Sequence, residues 1–82
     1  MTQDEALQTV QRALRLTFSD PDIEVTRGTT ADDIDGWDSL SHAVFMFRLE
    51  KYCGVRVPSS LASSFRDIGE LVDYLVQLTG EN

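Results

Sequence analysis

Apolar residues recur at helical spacing in three long stretches of the chain, and polar or proline-marked links separate these stretches. The spacing of Thr2 and Glu5 is that of a capping box, which predicts a first helix that starts at Thr2. Pro21 ends this helix, because proline lacks an amide hydrogen and disfavours helix in the residue before it. The buried stripe of this helix is predicted to consist of Ala6, Leu7, Val10, Ala13, Leu14 and Phe18.

The second helical stretch runs from about Ser39 to Cys53. Asp38 is predicted to be its N-cap, and Ser39 its first helical residue. Gly54 suits the left-handed conformation that closes a helix. The abrupt change from an acidic, irregular segment to an apolar helical pattern therefore places a serine on the surface at a helix start.

Apolar side chains occupy both sides of this second helix. One side carries Phe45, Met46, Leu49, Tyr52 and Cys53, and the opposite side carries Leu40, Ala43, Val44 and Phe47. One side can enter the core, and the other is then a candidate docking surface for a partner. The alternative is that both sides are buried, because a central helix in a small bundle can be apolar nearly all round.

The remaining segments complete an all-α pattern. Residues 58–63 predict a short helical turn, and Asp67 with Glu70 predicts a capping box at the start of the last helix. Residues 19–38 form a long connection, which we expect to be partly ordered or functional and to be held to the core by Ile23, Val25 and Ile34. We predict a single domain over residues 1–82, folded as a small antiparallel bundle of three long helices and one short helix.

Charge and composition restrict the class of partner. The chain of 82 residues has a net charge of -7, and the acidic residues are concentrated in the long connection. Such a surface repels nucleic acid and suits a basic protein partner. A single cysteine, Cys53, allows no internal disulfide, and no apolar run is long enough for a membrane span or signal peptide. We therefore expect a cytoplasmic monomer that does not insert into membranes.

Two residues near the start of the second helix could carry chemistry. At Ser39 the free amide hydrogens and the positive end of the helix dipole converge, so a phosphate ester on its hydroxyl would be favourably placed. His42 could contact such a phosphate or activate a nucleophile. The chain has no second histidine, and no residue that could share a metal ion with His42 stands at helical spacing from it. A structural role for His42 is therefore favoured over a catalytic one.

A calcium loop is a competing interpretation of Asp33-Ile34-Asp35-Gly36. Placing Gly36 at the turn position of such a loop puts Ala31 where the first carboxylate belongs and His42 where the bidentate glutamate belongs. The spacing therefore disfavours a calcium site, and we predict no metal site.

The order of these features resembles that of an acyl carrier protein over nearly the whole chain. The resemblance is carried by Asp38-Ser39-Leu40 at a helix start, by the segment from Glu50 to Pro58, and by Phe65-Arg66-Asp67-Ile68-Gly69-Glu70-Leu71-Val72-Asp73-Tyr74-Leu75, which leads into the last helix. It implies that Ser39, next to Asp38, accepts phosphopantetheine from coenzyme A. A separate phosphopantetheinyl transferase would supply the catalysis and the magnesium, and the chain itself would be no enzyme.

The resemblance also implies a function and a set of partners. The chain would hold acyl groups as thioesters and present them to acyl-loading and acyl-transferring enzymes of fatty acid or polyketide biosynthesis, which raises the effective concentration of the group at each docked enzyme. The partner-docking residues implied are Leu40, Ala43, Val44, Phe47 and Glu50. In fatty acid carriers the docking helix is mainly acidic, whereas here it is apolar and mixed in charge, which favours a stand-alone carrier of a specialised pathway.

Two other interpretations remain at the sequence level. An aminoacyl or peptidyl carrier would use the same serine, although such carriers have a second glycine where Trp37 stands. A helical interaction domain without any modification would need Ser39 only as a helix-starting residue.

Overall fold

Four α-helices make up the fold in the computed structural model, which describes residues 1–80. Helix α1 spans Gln3–Thr17, α2 spans Ser39–Cys53, α3 spans Ser59–Ala62 and α4 spans Ile68–Leu78. One turn of 3-10 helix, Ala31–Asp33, lies within the connection between α1 and α2. The described residues contain no strand, and the predicted class of three long helices and one short helix is confirmed.

The ends of α1 and α2 are fixed by the residues that the sequence indicated. Thr2 Oγ1 accepts the Glu5 amide hydrogen at 3.1 Å, and the Glu5 carboxylate accepts the Thr2 amide hydrogen at 2.8 Å. Both arms of the capping box are therefore present. Gly54 closes α2 with a φ of 67°, a left-handed value that costs glycine little.

The start of α4 differs from the prediction in one arm of its cap. Asp67 Oδ1 accepts the amide hydrogen of Glu70 at 2.9 Å, as expected. The Glu70 carboxylate accepts the amide hydrogen of Arg66 at 2.9 Å, where a capping box would have used that of Asp67. The predicted reciprocal box is therefore wrong. The carboxylate also accepts from Arg66 Nε at 3.3 Å, and this second bond favours the arrangement that is observed.

The long connection is ordered because it caps α4. The amide hydrogens of Ile68 and Gly69 lack partners within their own helix, as at every helix start. They are donated to the carbonyl oxygens of Thr29 and Arg27, at 2.9 Å and 2.7 Å. The Arg27 guanidinium also donates two bonds to the Asp73 carboxylate, at 2.9 Å and 2.8 Å. The expectation of a partly ordered connection is confirmed.

The core lies between α1 and the two long helices that pack against it, α2 and α4. Val25 is buried in it, and Ile23 and Ile34 pack against it, as predicted. Tyr52 was placed on the same side of α2 as Phe45 and Leu49, which are buried, but it retains 39% of its accessible surface. The guanidinium carbon of Arg12 lies 5.2 Å from the centroid of the Tyr52 ring, which is a cation–π contact between α1 and α2. The buried apolar residues are Ala6, Val10, Ala13, Leu14, Val25, Phe45, Met46, Leu49, Val57, Ile68, Leu71, Val72 and Leu75.

Candidate functional site

Ser39 is exposed and is the first residue of α2. The segment before it is held in place by two side chains. Asp38 Oδ1 accepts the amide hydrogen of Ser41 at 2.9 Å, and Ser41 Oγ donates to the carbonyl oxygen of Gly36 at 3.1 Å. Gly36 has a φ of 85°, so it makes the turn that a residue with a side chain would resist. These contacts present the Ser39 side chain at a defined position.

The electrostatics at the start of α2 favour negative charge. The pKa of Asp38 is lowered, chiefly because the backbone amide of Ser41 donates a hydrogen bond to its carboxylate. The positive end of the helix dipole, which favours this carboxylate, would also favour a phosphate ester on the neighbouring hydroxyl.

Trp37 joins the Ser39 segment to the bundle through aromatic contacts. Its indole N–H donates to His42 Nδ1 at 3.1 Å, and the two rings stack with centroids 5.9 Å apart. The same indole meets Phe45 edge-on at 5.4 Å and Phe18 at 5.8 Å. Trp37 therefore fills the end of the bundle next to Ser39 and links the ends of α1 and α2.

Both ring nitrogens of His42 are engaged. Nδ1 accepts from Trp37, so in the neutral ring Nε2 carries the hydrogen and donates it to the carbonyl oxygen of Ala62 at 2.7 Å. The histidine is partly buried. This arrangement matches the structural role expected for His42, since neither nitrogen is directed to a reacting group.

Two cavities open beside Ser39. The larger, of about 430 Å³, lies between the long connection, α2 and α4. The smaller, of about 350 Å³, lies between α2 and the segment 57–63. The walls of the larger cavity are mainly apolar and include Trp37, Phe45, Phe65, Ile68 and Leu71.

The outer side of α2 is an exposed apolar surface that starts one residue after Ser39. Leu40 retains 75% of its accessible surface, Phe47 60% and Val44 39%, and Ala43 is exposed as well. The alternative in which both sides of α2 are buried is therefore wrong. Lys51 Nζ lies 5.1 Å from the centroid of the Phe47 ring, so a cation borders the apolar surface at the far end of the helix.

Glu50 is the one polar residue among the expected docking residues, and its side chain is already engaged within the chain. Its Oε2 accepts the amide hydrogen of Val57 at 2.6 Å, and the residue is partly buried. This bond ties the link before α3 to α2.

Among residues 1–80, no group of three or more His, Cys, Asp or Glu side chains is placed to hold a metal ion. Within the same residues, every helix is too short or too polar to cross a lipid bilayer.

Comparison with known proteins identifies the fold. The chain superposes on the solution NMR structure of a holo acyl carrier protein from Geobacter metallireducens with a TM-score of 0.82. The two sequences are 31% identical over 92% of this chain and 86% of the other. The chain belongs to the acyl carrier protein family. Acyl carrier proteins are non-catalytic carriers, so this family member is a carrier and not an enzyme. No family model and no curated protein matches the chain.

The sequence pattern missed one part of this candidate site. It predicted a structural role for His42, but it gave no contact between the His42 and Trp37 rings and none between His42 and Ala62. The first contact could have been found from sequence separation. Trp37 stands just before the N-cap and His42 is five residues later, and such a pair lies close together where a helix starts. The bond to Ala62 depends on where α3 lies, and local sequence does not determine that.

Proposed function

We propose that the chain is a single carrier domain whose Ser39 hydroxyl accepts a phosphopantetheine group from coenzyme A. The observation that carries this proposal is an exposed serine at the N-terminus of α2, in a fold shared with a holo acyl carrier protein. Because Ser39 follows the capping residue directly, the hydroxyl stands where helix amides favour a phosphate.

In the attachment step the Ser39 oxygen forms a bond to the phosphorus atom next to the pantetheine in coenzyme A. The bond between that phosphorus and the bridging oxygen of the pyrophosphate breaks, and adenosine bisphosphate leaves with the electron pair. The hydroxyl proton passes to a base of a separate phosphopantetheinyl transferase, which also supplies a magnesium ion. Asp38 positions the helix start, because its carboxylate is engaged with the Ser41 amide.

The residues around Ser39 fit such a group. The hydroxyl is at the surface, the helix start favours the phosphate, and the larger cavity offers apolar walls within reach of the tether. When attached, the group supplies a terminal thiol that holds acyl groups as thioesters. An apolar acyl chain on that tether gains free energy by leaving water for the apolar cavity.

The outer side of α2 supports a role for docking. We infer that Leu40, Ala43, Val44 and Phe47 contact the transferase and the acyl-loading and acyl-transferring enzymes, and that Glu50 contributes mainly by holding the segment before α3. Arg48, Glu50 and Lys51 make α2 mixed in charge, which favours partners of a specialised pathway of the fatty acid or polyketide type. We propose that this carrier acts as a monomer in the cytoplasm.

Intact mass spectrometry tests the proposal directly. The protein is incubated with coenzyme A, magnesium and a broad-specificity phosphopantetheinyl transferase, and we expect the mass of one phosphopantetheine group to be added. Ser39→Ala should abolish the addition. Ser60→Ala is the matched control, since Ser60 is also an exposed serine within a helix but lies outside the Ser39 segment.

Two results would contradict the proposal. One is a wild-type protein that remains unmodified with several transferases. The other is an addition that persists in Ser39→Ala, which would place the attachment on another residue.

A further inference from the structure

The two cavities beside Ser39 share one wall. Both are lined by Ser39, His42, Ala62 and Ser63. The hydrogen bond from His42 Nε2 to the carbonyl oxygen of Ala62 crosses this wall and joins α2 to the end of α3. Since Ala62 has only a methyl group as side chain, the contact that closes the wall at this point comes from the histidine ring.

Helix α3 depends on α2 for its position. It has only four residues, and no side chain caps its start. A helix of one turn has little stability of its own, so it relies on contacts with its neighbours. Two contacts from α2 flank it, namely Glu50 with the Val57 amide at 2.6 Å and His42 with Ala62 at 2.7 Å. Loss of the second contact frees the end of α3 that borders both cavities.

Trp37 fixes the orientation of the His42 ring. Its donated hydrogen bond requires an acceptor at Nδ1, and in the neutral ring this places the hydrogen on Nε2, where it reaches Ala62. Stacking of the indole ring of Trp37 on the imidazole ring of His42 favours the same orientation of the imidazole. The position of the wall between the cavities therefore depends on two successive contacts, from Trp37 to His42 and from His42 to Ala62.

We propose that His42 is a positioning residue that keeps the two cavities apart and so limits the length of the acyl group sheltered beside Ser39. This inference rests on the proposed function. A methylene-sized group takes up about the volume of a water molecule, roughly 30 Å³. The larger cavity, of about 430 Å³, therefore has room for an acyl chain of about a dozen carbons. When the wall opens, the two cavities join and a longer chain is sheltered.

The rate at which hydroxylamine cleaves the thioester measures this shelter without any partner enzyme. A broad-specificity transferase loads butanoyl, octanoyl and hexadecanoyl groups from their coenzyme A esters, and intact mass follows the cleavage. In the wild type we expect octanoyl to be cleaved more slowly than butanoyl, and hexadecanoyl to gain no further protection. In His42→Phe, which keeps the ring but loses both hydrogen bonds, hexadecanoyl should be cleaved about tenfold more slowly than in the wild type.

Matched variants separate this role from general loosening of the fold. His42→Gln retains a donor that reaches Ala62, so it should keep the wild-type dependence on chain length. His42→Asn is too short to reach Ala62, and it is the second test if the Phe variant fails to fold. Gln11→Ala removes a part-buried bond of 2.9 Å from the Val25 amide, and neither residue lines either cavity, so this variant should leave the dependence on chain length unchanged.

Emission from Trp37, the only tryptophan, gives a second readout, because this residue lines the larger cavity. Octanoyl loading should shift the emission of the wild-type protein. The inference is overturned if His42→Phe and His42→Asn keep the wild-type dependence on chain length, or if Gln11→Ala changes it as they do. A chain that takes no group at Ser39 is recognised by mass before any cleavage is measured, and that result overturns the proposed function and this inference with it.

Discussion

At Gly69 the backbone of α4 and the backbone of the long connection approach each other with no side chain between them. The Gly69 amide hydrogen is donated to the carbonyl oxygen of Arg27 at 2.7 Å. A Cβ atom at this position would lie 2.9 Å from the same oxygen, closer than such atoms tolerate. The glycine is therefore required for the contact that caps α4.

Gly69→Ala should lower the free energy of unfolding by about 1–3 kcal/mol, because either the connection or the first turn of α4 must shift. Urea unfolding followed by circular dichroism measures the change. Gly28→Ala is the matched control, since the nearest atom to its added Cβ is Thr26 Oγ1 at 3.9 Å. Equal stability of the Gly69 variant and the wild type would show that the capping contact contributes little.

The roles of residues whose contacts lie within a few positions along the chain were predictable from the sequence. Thr2, Asp38 and Gly54 fix helix ends through local geometry, and each does so in the structure. Gly69 was not recognised as essential, because the atom that excludes a side chain belongs to a residue 42 positions earlier. Glu70 had two backbone donors within reach, and spacing alone did not show which one it would use.

At the scale of the element, α2 has two different apolar sides. Phe45 and Leu49 are fully buried, whereas Leu40 and Phe47 retain 75% and 60% of their accessible surface. The buried side determines stability, and the exposed side is free to meet a partner. Substitutions on the two sides should therefore have separable effects.

Leu40→Glu and Phe47→Glu should each raise the KM of a phosphopantetheinyl transferase for this protein, by about tenfold if each removes one central apolar contact. The melting temperature should change little, because neither side chain is buried. Leu16→Glu on α1 is the matched control, since Leu16 is also an exposed leucine, at 47%, and lies outside the proposed docking side. A large loss of stability in the α2 variants, or an equal KM effect in the control, would contradict the assignment.

The sequence determined the extent of α2 but not which of its apolar sides would be covered. Helical periodicity separates the sides, and their composition is similar enough that either could have faced the core. Packing against α1 determines which side of α2 is buried, and this packing depends on both helices and not on the sequence of α2 alone. For the same reason the surface position of Tyr52, beside Arg12 of α1, was not foreseen.

At the scale of the whole molecule, three exposed carboxyl groups hold separate parts of the fold through their charged form. The pKa of Asp73 is lowered by hydrogen bonds from Arg27, that of Asp38 by the Ser41 amide, and that of Glu5 by the Thr2 amide. The ordinary values are 3.8 for aspartate and 4.5 for glutamate. Because the folded-state values lie lower, the stabilisation is complete above the ordinary values and is lost as the pH falls through the lowered ones.

Arg27→Gln isolates one of these contributions. At neutral pH the variant should melt below the wild type, because the Asp73 carboxylate loses its partner. The difference should shrink below about pH 4 and disappear once Asp73 is protonated in both proteins. Thermal unfolding across this range is the measurement, and Arg56→Gln, an equal change in net charge on an exposed arginine, is the control. A difference that persists in strong acid would mean that Arg27 acts through packing instead.

The overall fold and the place of Ser39 at the start of α2 were predictable from the order of features along the chain. The two cavities were not, because they arise where α2, α3 and the long connection meet and no local pattern encodes their common wall. The sequence indicated that Ser39 is at the surface at a helix start, and the structure showed the two cavities beside it.

Because residues 27–29 accept hydrogen bonds from the first turn of α4, separation of these two segments can be measured in solution. The Ile68 and Gly69 amides are protected by carbonyl groups from a distant part of the chain, so their hydrogen exchange reports separation of the two segments and not fraying of α4 alone. Exchange of these two protons at equal rates would mean that the segment between α1 and α2 detaches as one cooperative unit. Faster exchange on binding an enzyme would then show that the enzyme opens the carrier.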